Sequence, residues 1–499
     1  MFGDLREYFD ELRELGDLRA VTAPVSPRLE AGAIARLTSE RGGPVLVLED
    51  VAGYPGWRLA AGMGGLSTVA GAPYARAALS LGMPAATPGP EIVRTLSAAQ
   101  QAAPIEPTVV ASGVCQRHVL TGDDIDLYKL PIPLIHNEDG GPYVNTWGTF
   151  VVRTPDRGWT NWSISRAMLT GPNTFLTFLT TIANPPGTDD PYLQHLGEIA
   201  DRGRSGRVEF ALVQGGPPAL PFVSAMGLPP GVSEAGYLGG LQGRPVPLVR
   251  CVTVDLEVPA TAEVVIEGYL DYDAYGWEGP FVEYNGFGWR EPLPVPTCVV
   301  TAITHRDDPI YPFVSSGKPV DESQSAVAVM WSAAVLTKLR DAGLPVSGFW
   351  YSPESALHIA VVTVDRGWEH YWDSSARLCE TIARVLSPMK LMQWATHVIV
   401  AEDDIDPSDP RDVLWAFSRI HPTRDRTEFP TKTLPLQLFL EHASDDQETD
   451  ERFVAGPTLM WNGLLGTEKR AELIPGTFAA NYPGPIRDRA RKLVAGLDR

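Results

Sequence analysis

Trp159-Thr160-Asn161-Trp162-Ser163-Ile164-Ser165-Arg166 alternates small polar with larger apolar side chains, the period-2 pattern of a β-strand. Asn161, Ser163 and Ser165 then share one face, which suits the lining of a polar ligand site. The same pattern equally describes a half-exposed strand ending in a surface arginine. Further short β-type runs surround it: Thr149–Arg153, Val208–Val213, Val249–Val258, Glu263–Leu270 and Thr297–Ile303. Separated by Gly and Pro, they predict a barrel or sandwich over 113–316.

The flanks have a different texture. Residues 4–16 predict an amphipathic helix, capped by Asp4 with Glu7 at the third position, burying Leu5, Phe9, Leu12 and Leu15 and ended by Gly16. A second helical pattern at 28–40 and an apolar run at 44–48 complete a small α/β unit over 1–112. The Pro- and Ala-rich segment 83–108 reads as its connector to the barrel. Residues 322–342 predict a long helix closed by Gly343, the core of a connecting segment at 317–345. Strands at 356–365 and 397–401 alternate with helices at 377–386 and 411–419, the rhythm of a layered α/β domain over 346–499. A basic amphipathic helix at 487–497 reads as a packing or subunit-contact element.

The chain has 499 residues and a net charge of −20, from 41 Lys+Arg against 61 Asp+Glu. Its length implies two or three domains, and its negative field disfavours nucleic acid and anionic lipid as partners. Four cysteines stand singly at Cys115, Cys251, Cys298 and Cys379, which suits a reducing compartment rather than a disulfide scaffold. The charged N-terminus and the lack of a long apolar stretch predict a cytoplasmic protein with no membrane association.

Three groups of residues could carry chemistry. The first is the polar face at Asn161. The second is Trp277-Glu278-Gly279-Pro280-Phe281-Val282-Glu283-Tyr284-Asn285-Gly286, where two carboxylates flank a Gly-Pro turn in apolar surroundings. Such carboxylates either pair with a cation, as in a structural ion pair, or retain a proton, as a general acid does. The third comprises Gln194-His195 and Ser233-Glu234. With Asn161, His195 and Glu234 would form a mainly hard donor set suited to Mg²⁺ or Mn²⁺, although each is solvated or structural if they do not converge.

Taken together, these motifs resemble the UbiD family of decarboxylases, which use prenylated FMN. Leu5-Arg6-x-Tyr8-Phe9-x-x-Leu12 with Gly16-Asp17-Leu18 resembles the family's opening helix and turn. Asn161-x4-Arg166, Gln194-His195, Pro229-x-Gly231-Val232-Ser233-Glu234, Glu278-Gly279-Pro280-x-x-Glu283 and the late Val400–Asp406 follow in family order.

The resemblance implies an α/β (α+β) multidomain fold: an N-terminal α/β unit, a central FMN-binding split β-barrel, a connecting helix and a C-terminal α/β oligomerisation domain. It implies a carboxy-lyase that reversibly and non-oxidatively decarboxylates an α,β-unsaturated or (hetero)aromatic acid through a covalent adduct with prenylated FMN. The cofactor is an electron sink supplied by a flavin prenyltransferase, and the protein orients and protonates. Arg166, Glu278 and Glu283 match the catalytic network, with Glu283 as proton donor. Asn161, His195 and Glu234 match the ligands of Mn²⁺ or Mg²⁺. Trp159, Val223, Ser224, Met226 and Glu234 match those of K⁺. Asn161, Ser163, Ile164, Ser165, Arg166, Gln194, His195, Ser224, Met226 and Glu234 match cofactor-binding positions.

Two features depart from the family pattern. The stretch between Arg166 and His195 is long, and the slot of a phosphate-contacting lysine holds Thr396 or His397, with Lys390 the nearest lysine and the one expected to bind the cofactor. A homodimer is expected, with a hexamer as the alternative. Two other functional classes are an oxidoreductase using unmodified FMN and a non-catalytic flavin-binding assembly partner. The first lacks a GxGxxG dinucleotide motif in this sequence, and the second has no need to keep Arg166, Glu278 and Glu283.

Overall fold

The computed structural model describes residues 1–154, 157–177, 207–228, 231–289, 291–429, 432–435, 453–456, 458–473 and 476–494. Its first helix, Leu5–Glu14, begins where the Asp4 side chain accepts from the backbone N–H groups of Arg6 and Glu7. Leu5, Tyr8, Phe9 and Leu12 are buried, whereas Leu15 is the exposed C-cap. The expected face thus gains Tyr8 and loses Leu15, because the helix ends before Leu15 can turn inward.

Behind this helix, Leu18–Val21 pairs in parallel with Val45–Leu48, and Arg58–Ala61 and Ile310–Pro312 complete a four-stranded sheet. Asp17 is buried beside it. Arg76 donates to Asp17 from Nε at 2.8 Å and from Nη2 at 2.6 Å, while Ser67 and Thr68 fill the remaining acceptor positions. Burial works against the charged form of Asp17, but the hydrogen bonds and charge of Arg76 outweigh it and hold the carboxyl below its usual range. The pair therefore contributes stability above pH ~4 that is lost as pH falls through the depressed value. Asp17→Ala leaves a buried, unpaired guanidinium and should cost about 3–5 kcal/mol. Chemical denaturation reads this directly, and a loss below about 1 kcal/mol would contradict it.

The expected connector at 83–108 is not a linker. Gly89–Ala99 is a helix with Pro in its first turn, burying Ile92, Val93 and Leu96. Proline is tolerated at a helix start and alanine favours the interior, so the same composition that suggests a loop supports a helix here. It packs on the long helix Glu322–Asp341, where Ser97 Oγ lies 2.9 Å from Thr337 Oγ1.

Among the described residues, the central unit is a nine-stranded antiparallel sheet curled into a split barrel. Thr160–Ser163 lies at one end of the strand order and Tyr143–Asn145 at the other. Phe150, Phe175 and Phe210 meet edge-on or tilted in its interior, with centroids 5.4–6.3 Å apart. The expected strands at 263–270 and 297–303 extend to Val264–Glu278 and Leu293–His305. The single run expected at 249–258 is instead two antiparallel strands, Pro247–Arg250 and Glu257–Pro259, with a turn between them in which the Val252 and Thr253 N–H groups donate to the buried Glu267 carboxylate.

Among the described residues, the C-terminal unit is built on a five-stranded sheet. Ile359–Val364, His397–Glu402 and Leu459–Asn462 run parallel, and Val346–Tyr351 and Arg426–Glu428 are antiparallel edges. Ser375–Leu386 connects the first parallel pair, as the alternation predicts. The last helix among the described residues is Gly484–Val494. Among the described residues, no helix is long and apolar enough to cross a membrane.

Candidate functional site

The site lies where the barrel fails to close. From the edge strand Thr160–Ser163 the chain crosses the gap through Ile164, Ser165 and Arg166, then enters Ala167–Gly171, which pairs with the opposite edge at Tyr143–Asn145. Asn145 braces this crossing, its Nδ2 donating to the Ser165 carbonyl at 2.8 Å and to the Gly148 carbonyl at 3.0 Å. Thr177 Oγ1 adds a 2.8 Å bond to the Arg166 carbonyl. The backbone bearing Arg166 is held on both sides.

Glu278 ends the strand Val264–Glu278, and Glu283 stands just beyond Phe281–Val282, which pairs with Gly288–Trp289 in a hairpin. The hairpin is closed by Glu283 N–H donating to the Phe287 carbonyl at 2.9 Å. The two carboxylates thus approach Arg166 from one turn. Arg166 Nε and Nη2 each donate to Glu278 at 2.8 Å in a fork, and Nη1 bonds Glu283. The Phe281 ring lies 5.3 Å from the guanidinium carbon. Burial works to discharge Arg166, but the charge and hydrogen bonds of Glu278 prevail and raise its pKa. The Glu278 side chain is wholly buried, whereas that of Glu283 is 16% exposed, so only Glu283 has an open approach.

A second cluster forms at the edge strand. Glu234 opens the helix Glu234–Gln242, capped by Ser233, where a carboxylate is favoured by the helix dipole. Its Oε2 accepts from Trp162 N–H at 2.8 Å and its Oε1 from Asn161 Nδ2 at 3.1 Å. Burial pushes the Glu234 carboxyl up to about 8 despite these bonds. Asn161 Oδ1 and Ser163 Oγ are buried with no hydrogen-bond partner among the described residues. A buried carboxylate and two orphaned oxygens are a donor set that a hard cation or a phosphate-bearing ligand would complete.

The other expected residues are placed as follows. Trp159 Nε1 donates to the Val232 carbonyl at 3.2 Å, beside Glu234. Val223 and Ser224 end the short helix Leu220–Ser224 and Met226 follows it, with Ser224 Oγ 2.9 Å from Thr149 Oγ1 on the strand paired to Asn161. Asn161 and Ser163 lie on the strand, but Ser165 lies past its end, so the shared face is shorter than the sequence implies. Gln194 and His195 lie outside the described residues, as does the side chain of Lys390, which opens the short helix Lys390–Gln393. Thr396 Oγ1 bonds the His358 carbonyl, and His397 Nδ1 accepts from Trp461 Nε1 at 3.2 Å, so both have local partners.

Sequence reasoning missed Tyr143, whose hydroxyl is 2.9 Å from Glu278 Oε1, and Asn145, which braces the crossing. Only the Gly140-Gly141-Pro142 run before Tyr143 marks the place, and nothing local links it to a glutamate 135 positions away.

Three family models match in succession. The N-terminal domain of 3-octaprenyl-4-hydroxybenzoate carboxy-lyase (UbiD) matches 9–96, its Rift-related domain 108–319 and its C-terminal domain 325–450. The chain is 34% identical to pyrrole-2-carboxylic acid decarboxylase of Pseudomonas aeruginosa, covering 98% of this chain and 97% of that protein. It is 31% identical to ferulic acid decarboxylase 1 of Saccharomyces cerevisiae, with the same coverage. Among solved structures, an evolved dimeric form of the UbiD-class enzyme HmfF from Pelotomaculum thermopropionicum, in complex with prFMN, superposes with a TM-score of 0.74 at 27% identity. That match covers 94% of this chain and 96% of the other. With three successive family models over most of its length and a 34% identical relative covering 98% of it, the chain belongs to the UbiD family of carboxy-lyases.

Proposed function

We propose that this carboxy-lyase decarboxylates a (hetero)aromatic or α,β-unsaturated carboxylic acid, reversibly and without net oxidation, using prenylated FMN. The observation that carries this reading is Arg166 held between Glu278 and Glu283 at the open seam of the barrel. The relatives acting on pyrrole-2-carboxylic and ferulic acids, and the prFMN complex of HmfF, support the substrate class and the cofactor.

The residues fit the cofactor. Asn161 and Glu234, with His195, would hold Mn²⁺ or Mg²⁺ against its phosphate. Trp159, Val223, Ser224, Met226 and Glu234 would surround K⁺, largely through carbonyls. Ser163, Ile164, Ser165, Arg166 and Gln194 would line the flavin, and Lys390 would approach the phosphate. The buried, orphaned Asn161 Oδ1 and Ser163 Oγ and the upward-shifted Glu234 support this assignment. When bound, prenylated FMN supplies an electron sink for the charge left as CO₂ departs.

The chain's own work is positioning and proton transfer. Arg166 aligns the reacting carboxylate and ties the two glutamates into one unit. Glu283 gives its carboxyl proton to the carbon that has lost CO₂. The resulting carboxylate is stabilised by Arg166 Nη1 and recovers a proton from its exposed side. Glu278 fixes the guanidinium through the fork to Nε and Nη2. In the reverse direction Glu283 removes the proton, by microscopic reversibility.

We assign 1–112 to the N-terminal unit, 113–316 to the cofactor domain, 317–345 to the connecting helix and 346–499 to oligomerisation. The exposed Phe478, Tyr482, Ile486 and Leu493 near the C-terminus support assembly between copies, with a homodimer as the expected form.

Protein co-expressed with a flavin prenyltransferase should yield prenylated FMN and Mn²⁺ or Mg²⁺ on mass spectrometry and metal analysis. It should also release CO₂ from pyrrole-2-carboxylic acid, ferulic acid or a related acid. Absence of any flavin under these conditions would remove the proposed chemistry.

A further inference from the structure

Glu278 and Glu283 share one arginine, and a proton-transfer cycle needs them to differ in which one carries the proton. The structure makes them unequal through a residue outside the Arg-Glu-Glu network. Tyr143 is almost fully buried, and its hydroxyl lies 2.9 Å from Glu278 Oε1 and 3.1 Å from the Pro280 carbonyl. Its ring packs on Phe281 at 4.4 Å between centroids. Its strand is held to the catalytic turn: Gly140 N–H donates to the Pro280 carbonyl at 2.8 Å, and a Cβ at Gly140 would overlap the Gly279 carbonyl.

We propose that Tyr143 is a positioning residue for proton transfer: with Arg166, its hydroxyl holds Glu278 as the carboxylate and thereby assigns the transferable proton to Glu283. This rests on the roles given to the two glutamates above. Every polar group identified against the Glu278 oxygens can donate: Arg166 Nε and Tyr143 OH at Oε1, and Arg166 Nη2 at Oε2. A protonated Glu278 would have to push the Tyr143 hydroxyl over to Pro280 and set two guanidinium N–H groups against a neutral acid. Glu283 has Arg166 Nη1 and an open side instead.

The charged and titratable groups around Glu278 are Arg166, Glu283, Tyr143 and the buried Asp139. Asp139 accepts from the His136 backbone N–H at 2.9 Å and lies 3.2 Å from its Nδ1. Its charge acts on the same cluster, raising the pKa of both Arg166 and Tyr143. Burial and the neighbouring Glu278 both raise the Tyr143 phenol far above its usual range, so it remains a donor at working pH.

Tyr143→Phe keeps the ring and removes only the donor. Glu278 then protonates more readily, so activity that needs its carboxylate fails at a higher pH on the acid side. In cofactor-loaded enzyme, with pyrrole-2-carboxylic and ferulic acids as probes, kcat should fall about tenfold with KM within about twofold. The acid limb of the kcat–pH profile should move up by about one unit. In cofactor-free protein, infrared titration of the Glu278 carboxylate band, identified by its loss in Glu278→Gln, should show the same upward move. If neither the limb nor the band moves, the proposal is overturned, whatever happens to kcat. A wild-type enzyme that decarboxylates nothing would instead defeat the functional reading, while the infrared titration would still decide the role of Tyr143.

Discussion

Glu283→Gln should eliminate decarboxylation, by at least about 10³-fold, while leaving flavin and metal bound. The amide keeps nearly the shape of the carboxyl and can still meet Arg166 Nη1, but it has no acidic proton to give the substrate carbon. General acids contribute roughly 10²–10⁴-fold, and water reaching the partly exposed Glu283 side chain has neither the acidity nor the fixed position of the carboxyl. The fork between Arg166 and Glu278 does not involve Glu283 and should persist. Cofactor content by absorption and mass spectrometry, measured beside CO₂ release, separates chemistry from binding. Turnover at the wild-type rate would take Glu283 out of the proton-donor role. Loss of flavin together with activity would make it a binding residue.

The second large effect is expected at Glu234. Its carboxylate joins the edge strand to the helix Glu234–Gln242 by accepting from Asn161 and Trp162, and burial makes its charge costly unless a cation is present. Glu234→Gln removes that charge but keeps the volume. Changing a residue that merely orients a metal ligand costs 10–100-fold in affinity, so loss of the ligand proposed here should weaken Mn²⁺ or Mg²⁺ binding by more than about 100-fold. Flavin retention should fall with it, since Glu234 is proposed to hold the cation that would offset the charge of the cofactor phosphate. Calorimetric titration of the cofactor-free protein with Mn²⁺ checks the first part, and flavin content after co-expression checks the second. Unchanged Mn²⁺ affinity would show that the metal, if bound, lies elsewhere. The two variants should differ in kind: Glu283→Gln loaded but inactive, Glu234→Gln inactive because it is not loaded.

Local chemistry was legible from the sequence because it repeats over short distances. The Asp4 cap, the 322–342 helix and the βα alternation near the C-terminus follow from side-chain periods and capping groups that act within a few residues. The Glu278–Glu283 pair announced itself by two charges in an apolar turn, and the ordered motifs identified the family. Where the same composition serves two backbones, local reading failed. Pro-Ala-rich 83–108 holds a helix because Glu322–Asp341 offers it a surface to bury Ile92 and Leu96, and 249–258 folds back on itself rather than running on.

Only tertiary structure decided how the site is assembled. Arg166 meets Glu278 across 112 positions and Glu283 across 117 because Ile164–Arg166 spans the open seam opposite their turn. Tyr143 reaches Glu278 because the far edge strand is clamped there by Gly140. Such pairings depend on strand order and barrel closure, which no periodicity encodes. The residue types that could perform the chemistry were written in the sequence. Which carboxylate is buried among donors, and which is left with an open side, was settled by the fold, because hydrogen bonding and burial set the cost of charge at each position.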